Sequence, residues 1–421
     1  MMMIVAICSF IIWIWLFLFH GRFWHREPIL YPYSKSIIDS IEEWPDVFVI
    51  IPARDEAETI ERVAHSLLHQ DYLGRYKVLV VDDASTDHTG DIVRAYQKSL
   101  PSAFQNRLEV IETALRPAGW SGKLWALSTG IDYIKQQYST ENTFFFFTDA
   151  DIEHDSSHLT TLVHKALVDQ LDQVSEMVQL RCENIYEKTF IPAFVYFFCM
   201  LYPFAQVNKK SSSVAAGAGG TVLLRSEMLE KIGGIAALKS ALIDDVTLAS
   251  LVKQNGGNIY LGHSSLARSL RPYELLSDIW NMITRTAYVQ LRYSVPLLLL
   301  TILLMSLMWF APFILMITTH GLTQHFAIAA YCISIGSFIP TLSRFRLSYL
   351  WIFALPLIAL FYLLATIGSA MNYYCGKGMM WKGRAYTDPA IGMDKKELRI
   401  QLSDMISSDQ TQQTNAQSDN K

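Results

Sequence analysis

The sequence predicts an α/β protein in which a mainly parallel sheet is joined to membrane helices at both ends of the chain. Apolar strand patterns alternate with helical patterns between residues 46 and 270, which is typical of a parallel sheet covered on both faces. Hydrophobic residues make up 51% of the 421 residues, and the longest apolar runs lie outside this region. The formal net charge is −4 without any basic block, so no nucleic-acid partner is indicated.

The first apolar segment, residues 1–21, is predicted to be a retained membrane anchor. Trp13 and Trp15 lie inside it, and Arg22 and Arg26 follow. A secretory signal peptide begins with basic residues and ends at a small-residue cleavage site, and this segment has neither feature. By the positive-inside rule, the two arginines place the following domain in the cytoplasm.

Two predicted strands, residues 47–52 and 76–81, are apolar apart from Lys77 and lead into acidic segments. Glu56 follows the first strand closely, and Asp82 and Asp83 follow the second directly. Between the strands, apolar residues recur at helical spacing, at Ile60, Val63, Ala64, Leu67 and Leu68. Because ligands of open α/β sheets bind beyond the carboxyl ends of the strands, the acidic ends predict a ligand site.

A run of four phenylalanines, residues 144–147, predicts a buried strand that leads to Asp149 and Asp151. Alternate residues of a strand point to the same face, so both carboxylates are expected to reach one ligand. Mg²⁺ commonly binds one or two protein carboxylates together with substrate phosphates. The pair therefore predicts a divalent metal site, although acidic residues can also simply end a strand in water.

In this order and spacing, the motifs resemble those of family 2 glycosyltransferases with the GT-A nucleotide-sugar fold, over residues 46–295. They are Pro-Ala-Arg-Asp-Glu at 52–56, Val-Asp-Asp-Ala-Ser-Thr-Asp at 81–87, Gly-Lys-Leu-Trp-Ala-Leu at 122–127, Asp-Ala-Asp at 149–151 and Ile-Asp-Asp at 243–245. The resemblance implies a Rossmann-like sheet and a nucleotide-sugar donor. It also implies Mg²⁺ or Mn²⁺ held by Asp149 and Asp151 against the donor's pyrophosphate.

The resemblance further implies a set of donor-binding residues. They are Pro52, Ala53, Glu56, Asp82, Asp83, Lys123, Asp149, Gly219, Gly220, Gln290 and Arg292. Three of these assignments stay open. Glu56 either contacts the nucleotide or caps the first helix, Arg292 reaches either the pyrophosphate or lipid headgroups, and the glycines either approach the donor or only make a bend.

An acceptor hydroxyl loses a proton as it attacks the anomeric carbon, so a carboxylate base is needed nearby. The resemblance places Asp245 in this catalytic role. Asp244 stands where the family has a glutamate, which is longer by one methylene group. We therefore predict that Asp244 has a positioning role, or that it stabilises the N-terminus of the helix that begins there.

After the sheet, residues 271–294 predict an amphipathic helix at the membrane surface, and residues 295–371 predict transmembrane helices. The apolar stretch at 325–342 is short for a span of about 20 residues. A further apolar run, 190–207, is predicted either as a buried helix or as a membrane-facing entrance for an acceptor. Residues 372–421 predict a polar, partly disordered tail.

The side of the membrane that holds the tail is ambiguous. Counting one anchor and three C-terminal spans puts the tail outside. Its basic residues favour the inside, and they are Lys377, Lys382, Arg384, Lys395 and Lys396. One apolar segment could therefore be re-entrant or interfacial.

A finer resemblance is to hopene-associated glycosyltransferases, relatives of the ceramide glucosyltransferases. It rests on Arg-Thr-Ala-Tyr-Val-Gln-Leu-Arg-Tyr-Ser at 285–294 and Trp-Lys-Gly-Arg-Ala-Tyr at 381–386. It implies a multi-pass protein of the bacterial inner membrane whose cytoplasmic domain glycosylates a lipid such as a hopanoid. We predict inverting transfer from a UDP-sugar to a membrane lipid.

Two alternative functions stay open. A processive polysaccharide synthase is disfavoured because Gln290-Leu291-Arg292-Tyr293 is shorter than the Gln-x-x-Arg-Trp of processive relatives. A non-catalytic protein that binds nucleotide-sugar is disfavoured because it has no need of Asp245. The five cysteines lack zinc or disulfide spacing, and we predict buried, inert thiols.

Overall fold

The structure, a computed structural model, describes residues 1–26, 28–34, 38, 41–239 and 241–375, and the backbone of 380–381 and 384–385. Within these residues the chain forms one large sheet and a two-stranded ribbon. The sheet strands are β1 (Ile29–Leu30), β2 (Asp46–Ala53), β3 (Tyr76–Asp82), β4 (Leu108–Glu112), β5 (Thr143–Thr148), β6 (Ile152–His154), β7 (Gln173–Gln179), β8 (Thr221–Arg225) and β9 (Ile259–Ser269). The ribbon pairs β10 (Met380–Trp381) with β11 (Arg384–Ala385).

The helices fall into two groups. Those packed around the sheet, which together with it form the sheet domain, are α2 (Ile60–Leu68), α3 (Thr89–Ser99), α4 (Ser102–Gln105), α5 (Gly122–Gln137), α6 (His158–Val168), α7 (Ile185–Leu201), α8 (Phe204–Val207), α9 (Ser226–Lys231) and α10 (Asp244–Gln254). Those of the membrane region are α1 (Met2–Phe19), α11 (Leu276–Gln290), α12 (Val295–Met305), α13 (Ala311–Thr318), α14 (Leu322–Arg344) and α15 (Leu355–Tyr374).

The large sheet runs in the order β1-β9-β7-β8-β5-β2-β3-β4, with β6 pairing at β9. The ladders β2–β3, β2–β5, β3–β4, β7–β9 and β1–β9 are parallel. β8 lies antiparallel between β5 and β7, and β6 is antiparallel to β9. The predicted mainly parallel sheet is therefore confirmed, and β8 makes it a mixed GT-A-like sheet.

The phenylalanine strand, β5, lies inside the sheet and is buried along its whole length. Phe145 and Phe147 pack into the apolar layer that contains α5 and α10. Phe144 and Phe146 point to the opposite layer, which contains α2 and α6. This alternation explains why the run is apolar at every position, since a strand covered on both faces has no polar side.

Five helical segments are long and apolar enough to cross a membrane by length and composition, among the described residues. Four correspond to the predicted anchor and the three C-terminal stretches. The segment 322–344 has 23 residues, so the expectation that the middle stretch is short was wrong. The helix continues into polar residues at both ends, which an apolar-run count misses.

The fifth segment of spanning length is Ile185–Val207, where two alternatives were open. It consists of α7, with Pro192 inside, and the short α8, which begins after Pro203. Tyr196 on α7 hydrogen-bonds Ser337 on α14 at 2.7 Å. Although it belongs to the sheet domain, α7 therefore packs directly on the membrane helices.

The amphipathic helix is present as α11, within the predicted 271–294 segment. The predicted tail, 372–421, lies mostly outside the described residues, as does half of the second motif of the finer resemblance, 381–386. The cysteine prediction was wrong in part. Only Cys199 is buried, whereas Cys8, Cys332 and Cys375 are exposed in the isolated chain. These three cysteines lie on outward-facing apolar surfaces of the membrane helices, where large apolar side chains such as Ile11, Ile328 and Met371 are exposed as well.

Candidate active site

One cavity of about 580 Å³ lies between the carboxyl ends of β2 and β5, the start of α10 and the helices α7, α11, α12 and α15. The predicted site residues that line it are Pro52, Glu56, Lys123, Asp149, Asp151, Asp244, Asp245 and Gln290. The fold therefore gathers at one place residues that lie far apart in the sequence. This is the position that open α/β sheets use for ligands.

Asp149 and Asp151 belong to the turn between β5 and β6, because β5 ends at Thr148. The expectation that strand alternation aims both carboxylates at one ligand was therefore wrong. The turn is closed by the N–H of Ile152, which donates to the Asp149 carbonyl at 3.2 Å. Both side chains still line the same cavity, since the turn itself faces it.

Lys123 lies in the first turn of α5, whose N-terminus is capped by the Ser121 side chain. Its Nζ is 2.7 Å from Asp149 Oδ1 and 3.8 Å from Asp244 Oδ2. Burial disfavours the lysine charge, but attraction from these carboxylates outweighs that effect and raises the pKa of Lys123. A cation at a helix N-terminus opposes the helix dipole, so the carboxylates explain its presence.

Asp244 and Asp245 begin α10, as the predicted helix start requires. Asp245 accepts hydrogen bonds from two backbone N–H groups, of Gly219 at 2.9 Å and of Val246 at 2.8 Å. Burial and then the nearby charge of Asp244 raise the pKa of Asp245 to about 7, although Lys123 acts in the opposite direction. A carboxyl group with a pKa near 7 suits a general base.

The glycine loop before β8 packs against the start of α10. A Cβ atom on Gly217 would lie 3.0 Å from the Asp245 carbonyl oxygen, so a side chain there would press on the backbone of α10. Gly219 presents its N–H to Asp245 and its carbonyl to Lys123 Nζ, at 3.4 Å. Gly220 accepts from Thr148 at 2.9 Å. The loop thus connects β5 and α5 to the carboxylate pair.

Arg271 is a cavity residue that sequence reasoning missed. Its Nε lies 3.0 Å from Asp151 Oδ2, and its Nη2 lies 3.1 Å from Glu56 Oε1. Burial opposes the charge, yet Asp151 and Glu56 raise the pKa of Arg271. The signal in the sequence is weak, an arginine that follows Leu270 just after the last strand of the sheet. Its position follows from the β6–β9 ladder, because Asp151 directly precedes β6 and accepts the Leu270 N–H at the end of β9 at 2.8 Å.

Asp82 and Asp83 do not line the cavity among the described residues. Asp82 accepts from the Ser85 N–H at 3.0 Å. Asp83 accepts from the Thr113 hydroxyl at 3.2 Å. Arg54, which does line the cavity, donates to the Asp83 carbonyl at 2.6 Å. The predicted contact of the two aspartates with the donor stays a prediction.

At the α11 end of the cavity, the Gln290 side chain hydrogen-bonds the Tyr202 hydroxyl. Arg292 follows the helix in a left-handed backbone conformation, φ 52°, and is exposed outside the cavity. Arg285, which lies about two helical turns earlier on α11, lines the cavity instead. Ala53 also lies outside the cavity lining, where its carbonyl accepts from the Asp83 N–H at 2.8 Å.

No group of three or more His, Cys, Asp and Glu side chains is placed to hold a metal ion within the described part of the chain. Asp149 and Asp151 both offer carboxylate oxygen atoms from the turn between β5 and β6 at the cavity wall. Their side chains are 36% and 13% exposed. Two carboxylates fit Mg²⁺ or Mn²⁺ where a ligand's phosphate oxygens complete the coordination.

Comparison with known proteins defines the class. Residues 48–233 match the family model described as glycosyl transferase family 2. No curated protein matches the chain. Residues 48–233 therefore match a glycosyltransferase family 2 domain, and the sheet has a GT-A-like fold.

Among solved structures, the chain is similar to the mannosyltransferase PcManGT from Pyrobaculum calidifontis in complex with GDP-Man and Mn²⁺. The identity is 19% and the TM-score 0.54, over 88% of this chain and 99% of that one. For Staphylococcus aureus TarS 1–349 in complex with UDP-GlcNAc, the identity is 16% and the TM-score 0.38, over 80% of this chain and 95% of that one. For glucosyl-3-phosphoglycerate synthase from Mycobacterium tuberculosis in complex with Mg²⁺ and UDP, the identity is 17% and the TM-score 0.37, over 63% of this chain and 85% of that one. Only the first score supports a shared fold.

Proposed function

We propose that the protein is a membrane-bound, inverting glycosyltransferase that moves a sugar from a nucleotide-sugar, UDP-linked, to a hydroxyl group of a membrane lipid such as a hopanoid. The observation that carries this proposal is the composition of the cavity wall. One cavity joins the carboxylate cluster of the sheet domain to apolar side chains of the membrane region. A polar acceptor would need no such apolar extension.

The apolar part of the cavity is contributed by four helices. Phe197 comes from α7, Met282 from α11, Met305 from α12 and Tyr362 from α15. These side chains are connected to the largest apolar cluster of the membrane region. Moving an apolar tail from water into such a lining lowers its free energy, whereas moving it there from lipid changes its free energy little. The lining therefore favours an acceptor that stays within the membrane.

The polar part of the cavity suits the donor. Asp149 and Asp151 are the residues that would hold Mg²⁺ or Mn²⁺, which supplies Lewis-acid stabilisation of the departing diphosphate when bound. Lys123, Arg271 and Arg285 place positive charge around the same space. These cations stabilise the negative charge that develops on the diphosphate oxygens as the sugar leaves.

Asp245 is proposed as the general base. It takes the proton of the acceptor hydroxyl while the acceptor oxygen bonds to the anomeric carbon and the bond from that carbon to the diphosphate breaks. Attack from the face opposite the leaving group inverts the configuration. The Gly219 and Val246 N–H groups hold the carboxylate in place, and Asp244 raises its proton affinity.

We also propose that the sheet domain is cytoplasmic and that the membrane is the bacterial inner membrane. Arg22 and Arg26 follow the anchor, and Arg344 and Arg346 follow α14. The turn between α13 and α14 has no lysine or arginine. This distribution supports a cytoplasmic position of the sheet domain.

The test is incubation of membranes containing the protein with isotope-labelled UDP-sugars, followed by mass spectrometry of the extracted lipids. The expected product is a lipid that carries one added sugar. A polymer would identify a processive synthase. Donor binding by calorimetry without hydrolysis or transfer would identify a non-catalytic binding protein.

Asp151→Asn provides the metal test of the same site. The variant should lose metal-dependent donor turnover while its thermal unfolding stays close to that of the natural protein. Asp91→Asn is the matched control, because its side chain is 69% exposed on α3, away from the cavity. Full activity of Asp151→Asn would overturn the metal assignment.

A further inference from the structure

The membrane region contains a hairpin whose open end and turn define the two sides of the membrane. α12 and α13 run as one segment to residue 318, and α14 returns from Leu322. At the end of α14, the Arg344 guanidinium donates to the Ser264 carbonyl in β9 at 3.0 Å. Phe345 packs against the core of the sheet domain. The end of α14, and hence the start of α12, lies on the side of the sheet domain.

The anchor α1 has the same orientation as α14. Ala6 packs with Leu315 and Ala327 near the far turn of the hairpin. Farther along α1, the Trp13 indole N–H donates to the Met308 carbonyl at 2.7 Å. His20, after the helix, bonds the Met200 carbonyl of α7 at 2.8 Å. α1, α12–α13 and α14 therefore connect the same two sides.

Both ends of α15 lie on the sheet-domain side. Its preceding turn begins at Tyr349, five residues after Arg344. At its other end, Tyr373 stacks on Tyr293 with 4.5 Å between ring centroids, two residues before α12 begins. The hydroxyl groups of Tyr374 and Tyr288 are 3.1 Å apart. A single straight helix cannot cross a bilayer and also have both ends on one side.

Along its length, α15 lies beside the amphipathic helix α11. The rings of Trp280 and Phe361 are 5.5 Å apart. Farther on, the Ser369 hydroxyl donates to the Thr284 carbonyl at 2.5 Å and accepts the Tyr288 N–H at 3.1 Å. The contacts advance along both helices in the same direction, so the two helices run side by side.

We propose that α15, although apolar and long enough to span, lies in the plane of the membrane interface beside α11, on the side of the sheet domain. The described part of the chain then crosses the membrane three times, and it leaves α15 on the same side as the catalytic site. The surface formed by α7, α11 and α15 is thus an interaction surface for one lipid leaflet. This inference rests on helix contacts and is independent of the reaction proposed above.

The charge distribution agrees with three crossings. The basic residues after α15, such as Lys377 and Arg384, then fall on the same side as Arg22 and Arg344. Among the described residues, the far side holds the start of α1 and the turn around His320, and neither contains lysine or arginine. The conflict between span number and basic residues therefore disappears.

The first test places a cysteine-containing tag after Lys421 of the full chain and labels it with a membrane-impermeant maleimide in sealed vesicles of both orientations. Peptide mass spectrometry identifies each labelled site. Ser102→Cys, exposed on α4, marks the sheet-domain side, and His320→Cys, exposed in the turn, marks the far side. The tag should be labelled in the same vesicle orientation as Ser102→Cys. Labelling of the tag in the vesicle orientation that labels His320→Cys would overturn the proposal.

The second test measures depth with nitroxide labels at Leu357, Leu364 and Met371. These positions are seven residues apart on one exposed face of α15, at 68%, 48% and 61% exposure. A helix in the plane gives equal accessibility to oxygen and to a polar nickel reagent at all three positions. A crossing helix changes depth by about 10 Å between successive positions, with the deepest at Leu364, and that profile would overturn the proposal.

A crossing helix of the same chain supplies the control for the depth measurement. Leu303 and Ile317 are exposed at 55% and 63% on the segment 295–318. Leu303 lies near the middle of that segment and Ile317 near its end. Labels there should report clearly different depths, which establishes that the method resolves a crossing helix in this protein.

Discussion

Asp245 links the glycine loop to α10, because its carboxylate accepts the N–H groups of both Gly219 and Val246. A carboxylate held by two N–H groups keeps a fixed orientation toward the cavity. Its neighbour Asp244 makes no such pair with the residues that the structure describes, and its Oδ2 lies 3.8 Å from Lys123 Nζ. This difference supports distinct roles for two adjacent and chemically identical side chains.

We predict that Asp245→Asn lowers kcat by about 10²–10⁴-fold, the usual effect of losing a general base. The affinity for UDP should stay near that of the natural protein, because asparagine keeps an oxygen that accepts the Gly219 N–H. Asp244→Asn should lower kcat less. Turnover and UDP calorimetry measure both effects. A larger loss for Asp244→Asn, with binding intact, would reverse the two assignments.

The pH dependence of kcat/KM should report the same carboxyl group. Its pKa is raised from the usual 3.8 to about 7, and a base acts only when deprotonated. Activity should therefore rise with pH, reach half its plateau near pH 7 and stay level above it. Because the folded state holds the extra proton between these values, the free energy of unfolding should fall as pH rises through this window.

Asp244→Asn supplies the matched variant for the pH measurement. The charge of Asp244 raises the pKa of Asp245, so its removal should move the rising limb of the profile to lower pH. An unchanged limb in this variant would show that another group controls the profile.

At the scale of elements, Glu187 joins the start of α7 to the segment before α11. The side chain is fully buried, and its Oε2 accepts the N–H groups of Glu183 and Asn184. Its Oε1 accepts the Tyr273 N–H at 2.9 Å. Since α7 and α11 both line the cavity, this one carboxylate fixes two walls relative to each other.

Glu187→Ala should therefore destabilise the protein. It leaves three partly buried N–H groups without their acceptor, and such a loss costs up to about 1–3 kcal/mol of unfolding free energy. Thermal unfolding in detergent measures the change. Glu183→Ala is the control, because that side chain is 70% exposed in the same turn. Equal unfolding temperatures for the two variants would contradict the proposed coupling of α7 and α11.

At the scale of the whole molecule, the cavity belongs to neither the sheet domain nor the membrane region alone. Its polar wall comes from strand ends and the start of α10, and its apolar wall comes from α7, α11, α12 and α15. Blocking the apolar wall should therefore affect the acceptor and spare the donor.

Ala287→Trp tests this separation, because Ala287 lines the cavity from α11. Overfilling should reduce transfer to lipid by roughly 10–100-fold, which corresponds to about 1–3 kcal/mol. Hydrolysis of the UDP-sugar without lipid should be unchanged. Leu357→Trp, at a position 68% exposed on α15, is the control. Equal loss of hydrolysis and transfer in Ala287→Trp would contradict a separate acceptor region.

Several features of the fold could be predicted from the sequence because they depend on local patterns. The strands at 46–53, 76–82 and 143–148 follow from apolar runs that end in acids. The helix Ile60–Leu68 follows from its spacing, and its five predicted apolar residues are all buried. The acidic motifs could be located in the same way, because each directly follows a strand or begins a helix.

Only the tertiary structure decided which side chains share the cavity. Arg271 meets Asp151 and Glu56 because β6, which directly follows Asp151, pairs with the end of β9, and this long-range pairing leaves no local pattern in the sequence. Likewise α15 has the length and composition of a spanning helix, while its contacts with α11 and Tyr293 place both its ends on one side. Composition and length depend on the chain alone, whereas orientation depends on packing partners that are distant in the sequence.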